Sequence, residues 1–206
     1  MNFRAVIFDL GGVVVDSPLH AIARYERELS IPPDFVNHVV VDTGAQGAWS
    51  RLERGEVSMA DFERDFEAEC RAAGHEISAR TMMERIGECG PRPRMITAIG
   101  RLRDAGFLTA ALTNNWANDE GGRDNGELRA LFHAFIESAV TGLRKPDPRI
   151  YEHALGELGV AADAAIFLDD IGRNLKAARA MGMHTIKVED PDIALSELSG
   201  AVGLEL

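Results

Sequence analysis

The chain has 206 residues, of which 46% are hydrophobic and 27% are charged, and its net charge is −11. This composition is typical of a globular protein and argues against fibrous, disordered and membrane-spanning classes. The acidic balance disfavours a nucleic-acid partner, because the phosphate backbone repels a negative surface. We predict that Arg92, Arg94, Arg101 and Arg103 form the solvated face of a helix and not a basic patch.

The cysteines and the N-terminus indicate a cellular location. Cys70 and Cys89 lie in no paired motif, which predicts neither a disulfide framework nor a zinc site. No charged head precedes a long apolar run at the N-terminus, and no segment approaches the roughly 20 apolar residues that span a bilayer. We therefore expect a cytoplasmic protein without a membrane partner.

Short apolar runs alternate with longer helical patterns along the chain. The predicted strands cover residues 5–10, 108–113, 135–140, 164–168 and 185–188, and the third is the weakest pattern. Continuous apolar strands separated by helices are typical of a parallel sheet with helices on both faces. The predicted fold class is therefore α/β and Rossmann-like.

Nearly a hundred residues separate the first two strands, which is far more than one crossover helix needs. Their periodicity is largely helical, so we predict a helical cap over residues 17–89 inserted into a core of residues 1–16 and 90–206. Such a cap closes over a site and selects its substrate. Its side chains Trp49, Arg24 and Arg51 are predicted either to reach the site or to lie on exposed helix faces.

Helix start and stop signals divide this region further. Ser58 followed by Asp61 predicts a helix start of the capping-box kind, and Gly74 predicts its end. A second helix is predicted over residues 79–86. After Pro91 and Pro93 an apolar stripe predicts a core helix that ends at Gly106. The polar, glycine-rich residues 118–126 predict a surface loop.

Polar residues follow the apolar runs at the points where ligands bind in open parallel sheets. Three carboxylates that meet at one edge repel each other unless a hard cation such as Mg²⁺ lies among them. An ammonium, a hydroxyl and an amide nearby suit a phosphate group. The residues concerned are Asp9, Thr113, Asn114, Lys145, Asp169 and Asp170.

The order of these residues resembles the four motifs of the haloacid dehalogenase superfamily. The match spans the whole chain, and the segments TNNW, RKPDPRIYEHAL and FLDDIGRNLKAARAMGM are similar to the N-terminal phosphatase domain of soluble epoxide hydrolase. The resemblance implies a magnesium-dependent phosphatase that acts on a small phosphomonoester.

The resemblance also implies a role for each residue. Asp9 is the expected nucleophile, which forms an aspartyl phosphate. Magnesium is expected on the Asp9 and Asp170 carboxylates and the Gly11 backbone carbonyl. The phosphate oxygens are expected to bind Thr113, Asn114 and Lys145, while Asp169 and Asn174 support the site.

One position departs from the superfamily pattern. Phosphatases of this superfamily usually carry a second aspartate, the general acid and base, where this chain has Gly11. Loss of a positioned proton donor typically costs about 10²- to 10⁴-fold in rate. An impaired phosphate-binding or regulatory module is therefore one alternative, and a haloacid dehalogenase is another, disfavoured by the adjacent Asp169 and Asp170. Asp16 is either a substitute proton donor or a surface carboxylate.

Overall fold

The five apolar runs form one parallel sheet with the first strand at its centre. The computed structural model describes residues 2–116 and 126–206. The strand order is β3-β2-β1-β4-β5, so the predicted α/β fold is confirmed. The strands are β1 (Ala5–Phe8), β2 (Leu108–Thr113), β3 (Ala134–Glu137), β4 (Ala165–Asp169) and β5 (His184–Lys187).

Helices connect the strands and also fill the insertion after β1. Within the described residues they are α1 (Pro18–Glu28), α2 (Phe35–Thr43), α3 (Ala48–Glu53), α4 (Met59–Ala72), α5 (Ala79–Gly87), α6 (Pro93–Asp104), α7 (Gly126–Arg129), α8 (Ser138–Thr141), α9 (Pro148–Leu158), α10 (Gly172–Ala180) and α11 (Pro191–Val202), with short 3₁₀ helices at Gly44–Gln46 and Ala162–Ala164.

The two faces of the sheet bury separate apolar clusters. Alternate residues of β1 point to opposite faces, so Val6 and Phe8 join one cluster and Ala5 and Ile7 join the other. The first cluster is covered by α6 and α11, and the second by α9 and α10. Burial on both faces explains why the strands read as continuous apolar runs.

The helices α1 to α5 form a third apolar core, which confirms the inserted helical cap. Phe62, Phe66 and Cys70 of α4 lie one turn apart and are fully buried against Met82 of α5. The Ser58 hydroxyl accepts a hydrogen bond from the Asp61 backbone N–H at 3.1 Å, as the capping signal predicts. The cap boundaries at residues 17 and 89 stay a prediction.

The strand at residues 135–140 is shorter than predicted, because it begins at Ala134, ends at Glu137 and is followed at once by α8. The predicted strand at residues 5–10 ends at Phe8, which leaves Asp9 beyond the sheet edge. The predicted loop at 118–126 lies outside the described residues except for Gly126, which begins α7. None of the helices described is long and apolar enough to cross a membrane.

Candidate active site

A cavity of about 400 Å³ lies between the carboxyl ends of the strands and the cap. The loops after β1, β2 and β4 form its floor, together with the segment that precedes α9. Its walls come mainly from α1, α2 and α3. Among the described residues of the floor are Asp9, Gly11, Asn114, Trp116, Arg144, Lys145, Asp170, Ile171, Arg173 and Asn174.

Lys145 joins two of the predicted carboxylates. Its Nζ lies 2.8 Å from Asp9 Oδ2 and 2.8 Å from Asp169 Oδ2, and the lysine is only 1% exposed. Burial alone lowers the pKa of Lys145, but the Asp169 and Asp9 carboxylates outweigh it and raise that pKa. The ammonium therefore keeps its charge inside the protein and lies at the centre of the site.

Asp169 is held on both carboxylate oxygens. The Ile171 backbone N–H donates to Oδ1 at 2.7 Å, and the Asn174 side-chain amide donates to each oxygen at 3.1 Å. With Lys145 on Oδ2, these donors leave Asp169 little capacity for another ligand. Its predicted supporting role fits this geometry, as does that of Asn174, whose backbone carbonyl accepts from the Tyr151 hydroxyl at 3.0 Å.

Asp170 has a different environment, because it is half-buried and lines the cavity. Asp9, Asp169 and Asp170 each have one carboxylate oxygen that lies within 4.8 Å of the other two. Burial raises the pKa of Asp9 well above its ordinary value; the Lys145 ammonium opposes this rise, and the charges of Asp169 and Asp170 add to it. Burial and then Asp169 raise the pKa of Asp170 to about 6. The raised pKa values reflect burial and repulsion between the carboxylates. A hard cation such as Mg²⁺, which prefers oxygen ligands, would offset that repulsion.

Gly12 lets the loop after β1 approach Asp170 closely. Its φ is +77°, and a Cβ built on it would lie 2.2 Å from Asp170 Oδ2. Arg92 Nη1 donates to the Gly12 carbonyl at 2.6 Å, and the Arg92 side chain is only 20% exposed. The prediction that Arg92 belongs to a solvated face is therefore wrong, because this arginine fixes the backbone beneath the site.

Gly11 lines the cavity at the position where the superfamily pattern has its second aspartate. A Cβ built on Gly11 would meet the ring of Pro18, the first residue of α1, at 3.0 Å from Cγ. Asp16 is not among the described cavity residues. Its side chain is 66% exposed, and its Oδ1 lies 3.6 Å from Arg92 Nε, which is the position of a surface carboxylate.

Thr113 is the last residue of β2 and Asn114 follows it, and the two residues have different surroundings. The Asn114 amide holds the Lys145 backbone by two bonds, from Nδ2 to the carbonyl at 3.1 Å and from the Lys145 N–H to Oδ1 at 2.8 Å. Thr113 is 4% exposed and is not among the described residues that line the cavity. Asn114 thus positions the lysine, and phosphate binding by this pair stays a prediction.

The sequence-family model of the haloacid dehalogenase-like hydrolases matches residues 3–182 of the chain. The chain belongs to this family. The predicted membership of the superfamily is therefore confirmed.

Individual relatives extend this assignment to almost the full chain. Bifunctional epoxide hydrolase 2 of Sus scrofa is 34% identical over 221 residues, which cover 100% of this chain and 40% of that enzyme. Sesquiterpene phosphatase astK of Aspergillus oryzae is 30% identical over 203 residues, which cover 98% of each chain. The chain thus spans two fifths of the epoxide hydrolase, and the predicted similarity to that enzyme is confirmed.

Solved structures share the fold at lower identity. A predicted HAD-like family hydrolase from Porphyromonas gingivalis has a TM-score of 0.72 at 19% identity and covers 98% of both chains. A HAD family enzyme from Bacteroides thetaiotaomicron, solved with magnesium and inorganic phosphate, has a TM-score of 0.63 at 16% identity and covers 90% of this chain and 93% of its own.

The cap side of the cavity contains residues that the motifs do not identify. Glu53 of α3 forms an ion pair with Arg144, and its Oε1 accepts from Trp49 Nε1 at 3.0 Å. Trp49 and Trp116 both line the cavity, so of the cap residues suggested from the sequence only Trp49 reaches it, while Arg51 pairs with Asp65. The remaining cap wall is apolar and consists of Pro18, Leu19, Ile22, Val36, Val40 and Val41, with Asn37 as its polar exception.

Proposed function

We propose that this haloacid dehalogenase-like hydrolase is a magnesium-dependent phosphatase that hydrolyses a small phosphomonoester through an aspartyl phosphate on Asp9. The observation that carries the proposal is that Asp9, Lys145 and Asp170 lie together at the floor of the cavity between core and cap. A carboxylate beside a cation, with an oxygen-only metal site next to it, is suited to attack on phosphorus.

Asp9, Asp170 and the Gly11 carbonyl are the groups proposed to hold Mg²⁺. Asp169 belongs to the same oxygen cluster, but its oxygens already accept bonds from Lys145, Asn174 and Ile171. We therefore assign it to the support of the site. Bound Mg²⁺ supplies positive charge, which relieves the repulsion between carboxylates and a phosphate.

The chain's own residues account for the rest of the reaction. Asp9 Oδ1 is fixed by the Leu10 backbone N–H at 2.7 Å, and Oδ2 lies against Lys145. The carboxylate is therefore oriented before substrate enters, which lowers the cost of reaching the transition state. Lys145 then neutralises the charge of the transferred phosphate oxygens, and Asn114 keeps the lysine in place.

The apolar cap wall indicates what is attached to the phosphate. Leu19 and Val41 are 47% and 53% exposed, and both line the cavity beside the buried Ile22 and Val36. Exposed apolar groups around a cavity favour a ligand with an apolar body. The similarity to a sesquiterpene phosphatase supports this choice.

The proposed function is tested by phosphate release from a panel of small phosphomonoesters with and without Mg²⁺. We expect release that requires the metal and that the isosteric variant Asp9→Asn lowers by roughly 10³-fold or more, because the nucleophile is lost. The matched control is Asp104→Asn, which changes an exposed carboxyl at the end of α6 and keeps the wild-type rate. Phosphate binding without any turnover would indicate a binding module instead.

A further inference from the structure

Position 11 has no side chain, and the apolar ring of Pro18 lies close to it. Gly11 has no side chain, and the Cγ and Cδ atoms of Pro18 lie 3.0 and 3.1 Å from where its Cβ would be. Pro18 is fixed there as the first residue of α1. Neither the loop nor the helix therefore offers a proton donor at this position.

The nearby carboxylates are already engaged. Asp16 is 66% exposed and faces Arg92. Glu53 lines the cavity, but one of its oxygens accepts from the Trp49 indole and the other faces the Arg144 guanidinium. A carboxylate placed between two donors is an acceptor and has no proton to give.

The other polar groups on the described floor have similar commitments. Lys145 Nζ directs hydrogens to Asp9 and Asp169. Asp9 is the proposed nucleophile and Asp170 a proposed metal ligand. Among the cavity residues that the structure describes, each carboxylate thus has either a partner or a proposed role other than protonating a leaving group.

We infer that the leaving group departs as an anion, so that the substrate is the phosphate of an acidic hydroxyl on an apolar body: an aryl, enol or acyl phosphate. This inference rests on the proposed function. Asp9 attacks phosphorus, and the bond to the leaving oxygen breaks with its electron pair on that oxygen. Water then attacks the same phosphorus, the bond to Asp9 breaks with its electron pair on the carboxylate, and the hydrogens of water leave with the phosphate.

Substrates matched in size but different in leaving-group acidity test the inference. One pair is para-nitrophenyl and para-nitrobenzyl phosphate, and the other is benzoyl and benzyl phosphate. Because a general acid is worth about 10²- to 10⁴-fold for a poor leaving group, we expect kcat/KM of the acidic member to be at least about 10²-fold higher in each pair. The comparison uses the wild-type chain with Mg²⁺.

A variant that restores the carboxylate gives a second measurement. Gly11→Asp is combined with Pro18→Ala, because a Cβ at position 11 would lie 3.0 Å from the proline ring, which would have to shift. We expect the double variant to raise kcat/KM of the benzyl esters by at least about 10-fold and that of the nitrophenyl ester by far less. Pro18→Ala alone is the reference with which the double variant is compared, because the proline belongs to the cavity wall.

The outcomes separate the inference from the proposed function. Similar kcat/KM values within both pairs in the wild type overturn the inference, since they require another proton donor, and leave the phosphatase function intact. Failure of all four substrates to release phosphate, while the folded protein binds Mg²⁺, overturns the proposed function and the inference that rests on it.

Discussion

Asp169 and Asp170 are adjacent in the chain, yet their side chains have different surroundings. Asp169 is the last residue of β4 and is fully buried, where Lys145, Asn174 and the Ile171 N–H hold it. Asp170 is the first residue beyond the strand, and it faces the cavity. Successive residues of an extended chain point in opposite directions, so of two adjacent acids here one is held inside the protein and the other faces the cavity.

The raised pKa of Asp170 predicts how Mg²⁺ binding depends on pH. Its pKa of about 6, against an ordinary 3.8, means that the carboxyl is mostly protonated at about pH 5 and ionised at about pH 7.5. Metal binding requires the ionised form. We therefore expect the Mg²⁺ affinity to be lower at about pH 5 than at about pH 7.5, by about 10-fold or more. Isothermal titration calorimetry at both pH values measures it, with Asp104→Asn as a control that keeps the dependence.

The same shift affects the stability of the metal-free protein. A carboxyl whose pKa is raised on folding binds its proton more tightly in the folded state, so the stability falls as pH rises from about 4 to about 6. Added Mg²⁺ offsets this loss above that range. A Mg²⁺ affinity that is equal at both pH values would contradict the prediction and would assign the metal to other ligands.

At the scale of elements, the pairing of two strands brings Asp9 and Asp169 together. β1 and β4 are neighbours in register, with Phe8 opposite Leu168, so the next residues Asp9 and Asp169 lie side by side at the edge of the sheet. The Asp9 backbone N–H extends the ladder by donating to the Leu168 carbonyl at 2.9 Å. The site therefore depends on how the two loops that follow these strands pack against each other.

Gly12 is a residue at which those two loops approach each other closely. Gly12→Ala adds a methyl group that would lie 2.2 Å from Asp170 Oδ2, in a backbone conformation with φ +77° that disfavours any side chain. Because Asp170 has to move, we expect the Mg²⁺ affinity to fall by about 10- to 100-fold, the range typical of changes next to metal ligands. Titration calorimetry with Mg²⁺ measures the loss.

The matched control separates backbone strain from the displaced carboxylate. Gly159 also has a positive φ, +63°, but a methyl group there meets nothing within 4 Å. We expect Gly159→Ala to lower the free energy of unfolding by about 1 kcal/mol and to leave Mg²⁺ binding unchanged. If both variants bind Mg²⁺ like the wild type, the close approach of Gly12 to Asp170 has no role in the metal site.

Local patterns in the sequence predict the elements well, and they predict the site only where it follows the strands. The apolar runs, the Ser58 cap and the glycine stops act between neighbouring residues, so they can be read from the sequence. Asp9 and Asp170 can be read because strand ends meet at one edge. Arg92 binds the Gly12 carbonyl from a distant position in the chain, and no local signal marks such a contact.

At the scale of the whole molecule, the cavity exists only because the cap packs against the core. Arg144, which precedes Lys145, joins the two by its bond to Ser50 Oγ at 2.9 Å and its ion pair with Glu53. Beside them, Gly55 of the cap approaches so closely that a Cβ on it would lie 2.5 Å from the Ala139 carbonyl oxygen. These contacts of Arg144 with Ser50 and Glu53, and of Gly55 with Ala139, form the junction between cap and core. The junction holds the cap beside the proposed catalytic lysine.

Glu53→Gln tests whether this junction couples the two parts. The change keeps the shape of the side chain and leaves the Arg144 charge, which is 18% exposed, without its counter-ion. Removal of one partner from a largely buried pair is strongly destabilising, and we expect a loss of about 1–3 kcal/mol in the free energy of unfolding. The matched change Glu56→Gln breaks a pair whose glutamate is 47% exposed, and we expect it to cost less than about 0.5 kcal/mol.

The two tryptophans of the chain make the coupling visible. Trp49 of the cap and Trp116, which follows β2, lie with ring centroids 6.4 Å apart, so their fluorescence reports on the junction while circular dichroism reports on all helices. If the junction makes cap and core unfold together, the two signals coincide in the wild type and in Glu56→Gln. In Glu53→Gln the fluorescence change comes at lower denaturant, because the cap separates before the sheet unfolds. Coincident signals in Glu53→Gln would mean that apolar packing alone holds the two parts together.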